Sequence, residues 1–211
     1  MQIENNKEEV PFSYYAEAFS KADPAEISSR LGIPFENNTF RLTLLGKEYE
    51  ITHPTSEIKP PLPKGGCPEG AGGYNIPLPV QTFLLRYLLE AKTVSWAGTW
   101  KTFREMPWGE LYIKPYTGRV LTRAAFTFGT RVEKFRAACE KLGATPLKHG
   151  DAGFEFDFIG GYKMQLLVWG PDEEFPPNAQ VLYSDNFGSG FAAEDRVVAG
   201  DILISHIKAA M

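Results

Sequence analysis

The feature that most constrains the fold is the stretch from Phe154 to Trp169. Phe154, Phe156 and Phe158 alternate with Glu155 and Asp157, Gly160-Gly161 follows, and Tyr162 to Trp169 continues as a second β-prone run. Alternation sends the phenylalanines to one face of a strand and the acids to the other, and paired glycines supply the backbone of a two-residue turn. Such a hairpin must cover its aromatic face with apolar residues from elsewhere in the chain. Ala179 to Ser184 reads as a further strand.

The sequence offers helices for that cover. Over 131–142, Thr130 and Glu133 have the spacing of a capping box, Val132, Phe135, Cys139 and Leu142 form one stripe, and Gly143 stops the pattern. Pro79 opens a second helix with Val80, Phe83, Leu84, Tyr87, Leu88 and Ala91 at helical spacing. A terminal helix over 191–208 carries Val197, Val198, Ile202, Leu203 and Ile207. Near the start, residues 12–31 read as two helical pieces, the second begun by Asp23-Pro24 with Glu26 and ended by Gly32. Phe40–Leu45 and Lys47–Thr52 meet at Gly46 as a hairpin. Runs of hairpin and helix, without strict β-α-β alternation, predict an α+β fold: an antiparallel or mixed sheet whose C-terminal hairpin strands pack against several helices.

A length of 211 residues suits one buried core, so a single domain over 1–211 is expected. Within it, residues 1–10 are expected to be flexible. Residues 53–79 hold Pro60-Pro61-Leu62-Pro63 and Gly65-Gly66-Cys67 and read as a long loop, either a surface excursion or a lid over a site.

Charge and composition exclude several classes. A net charge of -4 removes the electrostatic attraction behind most non-specific nucleic-acid binding, so no nucleic-acid partner is expected. Met1 to Glu9 are polar, and no apolar run is long enough to span a bilayer, so a cytoplasmic protein without a membrane partner is expected. Cys67 and Cys139 lack metal-ligand spacing, so neither a zinc ribbon nor a chain-borne iron-sulfur cluster is expected. No G-x-S-x-G elbow is present, and His53, His149 and His206 sit in unrelated contexts.

Two concentrations of chemistry remain. Trp96, Trp100 and Trp108, with Lys101 and Arg104 among them, would suit a planar, partly anionic ligand; the competing reading is aromatic packing on a short helix that Pro107 ends. Arg119, Arg123 and Arg131 are candidates to pair with phosphate or carboxylate; the competing reading is solvated arginines or partners for the acidic turn at Asp172. The acids Asp172, Glu173, Glu174 and Asp185 could ligate a divalent cation such as Mg²⁺ or Ca²⁺ through oxygen, or simply form a solvated turn. Gly188-Ser189-Gly190, ahead of the terminal helix, would offer backbone amides to an anion, but no Walker lysine follows.

Trp100-Lys101-Thr102-Phe103-Arg104-Glu105-Met106-Pro107 with Gly109 and Tyr112, then Asp172-Glu173-Glu174-Phe175-Pro176-Pro177 through Leu182 to Asp185 and Glu194, carry a likeness. With Leu84-Leu85, Tyr87-Leu88 and Phe128-Gly129, they make the chain from about Ala16 onward resemble a prokaryotic family known only as a domain of unknown function. The resemblance implies an origin in anaerobic bacteria or archaea. Some members join a four-cysteine iron-sulfur module, which implies work near iron-sulfur or corrinoid-dependent one-carbon metabolism. This sequence carries no such module, so a cluster or corrinoid would belong to a protein partner. The resemblance brings no catalytic residues with it.

Three functional expectations follow: an accessory module binding a small ligand or partner through the Trp96–Trp108 segment and the Asp172–Asp185 acids as one surface; a metal-dependent enzyme using the four carboxylates, with Arg104 or Arg123 as electrophile; or a purely structural or interaction domain.

Overall fold

A computed structural model describes residues 8–60 and 76–211. The chain divides into two compact units, Met1–Thr93 and Val94–Met211. Expectations for residues 1–7 and 61–75, including Cys67, lie outside the described residues.

In the first unit, helices α1 (Glu9–Lys21) and α2 (Pro24–Leu31) are followed by strands β1 (Phe35–Glu36), β2 (Thr39–Leu44), β3 (Lys47–Thr52) and β4 (Glu57–Lys59), then by α3 (Leu78–Glu90). The Asp23 side chain accepts the Ala25 N–H at 2.9 Å, Pro24 takes the first helical position, and Gly32 closes α2 in the left-handed conformation (φ 65°). The predicted hairpin forms with Leu45 and Gly46 both at positive φ, the signature of the turn that matches strand twist. All strand pairs here are antiparallel, in the order β1-β2-β3-β4. Phe19 and Phe40 meet at 6.1 Å across the fully buried centre. Arg30 donates to the carbonyls of Leu88, Leu89 and Ala91, closing the C-terminal end of α3 with a cation.

One part of the long-loop expectation is corrected. Glu57–Lys59 is a strand against β3, with Ile58 opposite Ile51. Three residues with one apolar side chain are too short for period to reveal.

The second unit is a five-stranded antiparallel sheet with helices on one face. Its strands are β5 (Trp100–Thr102), β6 (Thr145–Leu147), β7 (Ala152–Ile159), β8 (Tyr162–Trp169) and β9 (Asn178–Ser184), ordered β6-β7-β8-β9-β5. Gly160 and Gly161, at φ 53° and 85°, make the predicted hairpin turn. Register aligns Phe154–Leu166–Val181 and Phe156–Met164–Tyr183 in two buried rows. Against that face pack α5 (Arg123–Phe128) and α6 (Val132–Lys141), which continue a helical run begun by α4 (Gly109–Tyr116) and a π-helical stretch, Thr117–Thr122. Short helix α7 (Phe187–Gly190) and the long α8 (Ala193–Ala210) complete the cover.

This antiparallel, helix-covered architecture is the predicted α+β fold, with two local corrections. The capping box at Thr130 does not form: Thr130 lies inside the helical run, and its hydroxyl donates to the Phe126 carbonyl at 3.3 Å. Trp100 and Phe103 do not share a helix; Trp100–Thr102 is strand β5 and Phe103–Glu105 a single 3₁₀ turn, capped by Glu105 accepting the Thr102 N–H at 2.7 Å. No helix among the described residues is long and apolar enough to cross a membrane.

Candidate functional site

The face of the second unit's sheet opposite the phenylalanines carries its polar chemistry. Register brings Glu155, Gln165, Leu182 and Thr102 into one row, and sets Asp157 opposite Lys163 and Ser184 opposite Trp100 in the next. Lys163 Nζ sits 3.0 Å from Glu155 and 2.9 Å from Asp157, and Gln165 Nε2 donates to Glu155 at 3.3 Å. These bonds, to Asp157 first and then Glu155, raise the Lys163 pKa and hold its charge. One cation meets two carboxylates, so the local charge is negative.

The loop entering β5 stands over this row. Trp96 and Trp100, both half-buried, meet edge to face at 5.3 Å, and Lys163 Nζ lies 5.5 Å from the Trp96 ring centre. Trp96 Nε1 donates to the Thr99 carbonyl at 3.0 Å. Asp185, just past β9, fastens the loop. Its Oδ1 accepts the Ala97 N–H at 3.1 Å, and its Oδ2 accepts both the N–H and the hydroxyl of Thr99, at 3.0 and 2.6 Å. The Thr99 hydroxyl, then the backbone amides, lower the Asp185 pKa. Behind it, Ser184 donates to Asn186 at 2.5 Å, and Asn186 donates to the Val94 and Gly161 carbonyls. The strand end, the loop and the hairpin turn are thus joined by one buried polar chain.

Trp96, Trp100 and Asp185 therefore come together, while the other sequence candidates do not join them. Trp108 starts α4, 70% exposed and in the left-handed conformation (φ 63°). Arg104 pairs with Glu110 at 3.0 Å on the surface. Arg123 donates to Asp201 at 3.1 Å and to Ser205 at 2.9 Å, beside Arg119, which bridges Glu194 and Asp201. Their carboxylate partners come from α8 and not from the acidic turn at Asp172–Glu174.

The four acids do not converge either. Asp172 Oδ1 accepts the Glu174 and Phe175 N–H groups at 2.8 and 2.7 Å, closing its own exposed turn. That turn precedes β9 and Asp185 follows it, and a seven-residue strand spans roughly 20 Å. Among the described residues, no three His, Cys, Asp or Glu side chains form a group able to hold a metal ion. Cys139 is buried on α6, and burial pushes its thiol well above its ordinary pKa, an unreactive small hydrophobe.

Lys163, Glu155 and Gln165 escaped sequence reasoning as site residues. Their signal was the polar half of the alternation in β7 and β8, which marks a face but does not say what stands over it.

Fold and site together define an antiparallel α+β protein with one aromatic-polar sheet face. The chain belongs to the family described as domain of unknown function DUF3786, whose model matches residues 23–206. No curated protein and no solved structure matches it.

Proposed function

We propose that the chain is a small-ligand-binding module and that the Trp96–Trp100 pair with Lys163 and Glu155 is its binding surface. The observation that carries this reading is the fastening of two half-buried indoles by Asp185 over a row of polar sheet residues. Indoles fixed in this way offer stacking area at little entropic cost, and Glu155, Asp157 and Gln165 offer hydrogen-bonding groups beside them.

The charge balance refines the ligand class. With Arg104 paired elsewhere and Lys163 held by two carboxylates, an anionic ring is disfavoured. A flat, neutral or cationic ring bearing N–H donors matches the site: the ring lies against indole and its donors meet carboxylate. Fluorescence titration with adenosine and with a neutral pterin tests this reading, set against their phosphorylated or carboxylated counterparts.

A second reading rests on α4. Trp108, at the cap of that helix, and Leu111, in its first turn, are 70% and 72% exposed. This supports a protein contact there, and an iron-sulfur or corrinoid protein is the partner that the family resemblance implies. Pull-down by wild-type chain but not by Trp108→Ala, from an anaerobe lysate, tests it.

A further inference from the structure

Lys163 is held from three sides on the polar sheet face. It sits opposite Asp157 in the β7–β8 ladder, and its Nζ lies 2.9 Å from Asp157 and 3.0 Å from Glu155. The same ammonium stands 5.5 Å from the Trp96 ring centre. Its backbone N–H donates to the Ser184 hydroxyl at 2.9 Å, which ties the root of the side chain to β9. Hairpin stability is a weak reason for this arrangement. The Asp157 side chain is 87% exposed, and a pair so open to solvent contributes little to folding. Contact with the indole adds a partner that the ladder does not require.

Exposure decides which charges count at the indole. The Glu155 and Lys163 side chains are 20% and 27% exposed, so they form a half-enclosed pair whose charges cancel where solvent screens least. The extra negative charge of Asp157 lies in water, where its reach is short. Trp96 therefore has a cation beside it already, and the half-buried carboxylate next to that cation is neutralised. Glu155 nevertheless keeps acceptor capacity. One of its oxygens takes Lys163 and the other takes Gln165 Nε2 at 3.3 Å, while a carboxylate offers about four lone-pair sites.

We infer, resting on the binding role proposed above for the Trp96–Trp100 surface, that Lys163 is its specificity-determining residue: it takes the cation's place at the indole and restricts the ligand to a flat, neutral ring that donates N–H groups to Glu155. A cationic ring meets a like charge there and finds the position over the indole filled. A neutral ring escapes that repulsion, lies against indole and makes charge-assisted hydrogen bonds to the free lone pairs of Glu155.

Calorimetric titration of the full chain with adenosine and with 1-methyladenosine, which carries a positive charge at neutral pH, tests this assignment in wild type, Lys163→Met and Lys163→Arg. The quantity read is the ratio of the two dissociation constants. Wild type prefers adenosine; Lys163→Met, with the cation gone and Glu155 released, lowers that preference by roughly tenfold or more. Lys163→Arg, which keeps a cation there, restores it. A lysine that serves the hairpin alone would weaken both ligands together. A ratio unmoved in Lys163→Met, a ratio as low in Lys163→Arg as in Lys163→Met, or a wild-type preference for 1-methyladenosine overturns the assignment. Should Lys163→Met fail to fold, Lys163→Gln is read in its place against the same outcomes. Binding of neither nucleoside to any of these proteins also overturns it; the reading of the surface itself falls only if the neutral pterin is silent too, which tells the two failures apart.

Discussion

Asp185 holds Thr99 twice, accepting its backbone N–H at 3.0 Å and its hydroxyl at 2.6 Å through the same carboxylate oxygen. The two residues face each other one step beyond the Trp100–Ser184 pair of the β5–β9 ladder, so these two hydrogen bonds tie the loop that carries Trp96 and Trp100 to the end of β9.

Asp185→Ala removes those acceptors together with that for the Ala97 N–H. The expected outcome is a lower Tm and a red-shifted, more quenchable emission from Trp96 and Trp100, measured with Trp108 and Trp169 replaced by Phe. Thr99→Val, which keeps the backbone bond, gives a smaller change of the same sign.

Acid has a related effect. The folded-state pKa of Asp185 is lowered, by the Thr99 hydroxyl first, so its contribution to stability is complete above the ordinary carboxylate range and is lost as pH falls through the lowered value. Tryptophan emission followed down the pH scale shows a transition in that acid window. Asp185→Asn, which cannot ionise, lacks this transition.

Core substitutions test the helix-on-sheet packing. Phe135 is fully buried between Phe128 and Phe154, with ring centres at 5.0 and 5.7 Å. Phe135→Ala costs about 3–5 kcal/mol by denaturant unfolding, from lost transfer energy and the cavity left behind.

Close approach between helices is tested at Gly200. A β-carbon there would lie 2.7 Å from Val120 Cγ1, so Gly200→Ala costs roughly 1–3 kcal/mol. Val120→Ala in the same chain recovers part of that loss, a coupling that a double-mutant cycle measures.

The acidic turn is structural in this account. Asp172→Ala lowers stability through its turn, and neither EDTA nor added Mg²⁺ or Ca²⁺ changes the Tm of wild type or variant. A cation-dependent rise in wild type that Asp172→Ala abolishes would restore the metal reading.

Much of the fold was legible because its signals are local. Asp23-Pro24 and Gly32 delimit α2 by their own capping chemistry, and the Phe154–Phe158 alternation with Gly160-Gly161 carries the hairpin. The helical run from Gly109 was not legible: Pro115, Gly118 and the β-branched residues around Thr117 and Val120 dilute its period, and it bends through a π-helical stretch there. Trp100 read as helical since aromatic spacing alone cannot tell a strand leading into a 3₁₀ turn from a helix. At the site, composition pointed to Trp96, Trp100 and Asp185 but also gathered in Trp108, Arg104, Arg123 and the Asp172 turn. Nothing in one sequence says that Asp172 and Asp185 lie at opposite ends of β9, or that Arg123 finds Asp201 78 residues on. Pairing across such distances is decided by the tertiary fold.

The most direct test of the central claim is fluorescence titration of the chain with adenosine and a neutral pterin, wild type beside Trp100→Ala and Glu155→Gln. The account predicts saturable quenching by at least one of these compounds, weaker binding of its anionic counterpart, and loss of at least tenfold in affinity in both variants. Absence of quenching by either compound, or binding unchanged in Trp100→Ala, would contradict it.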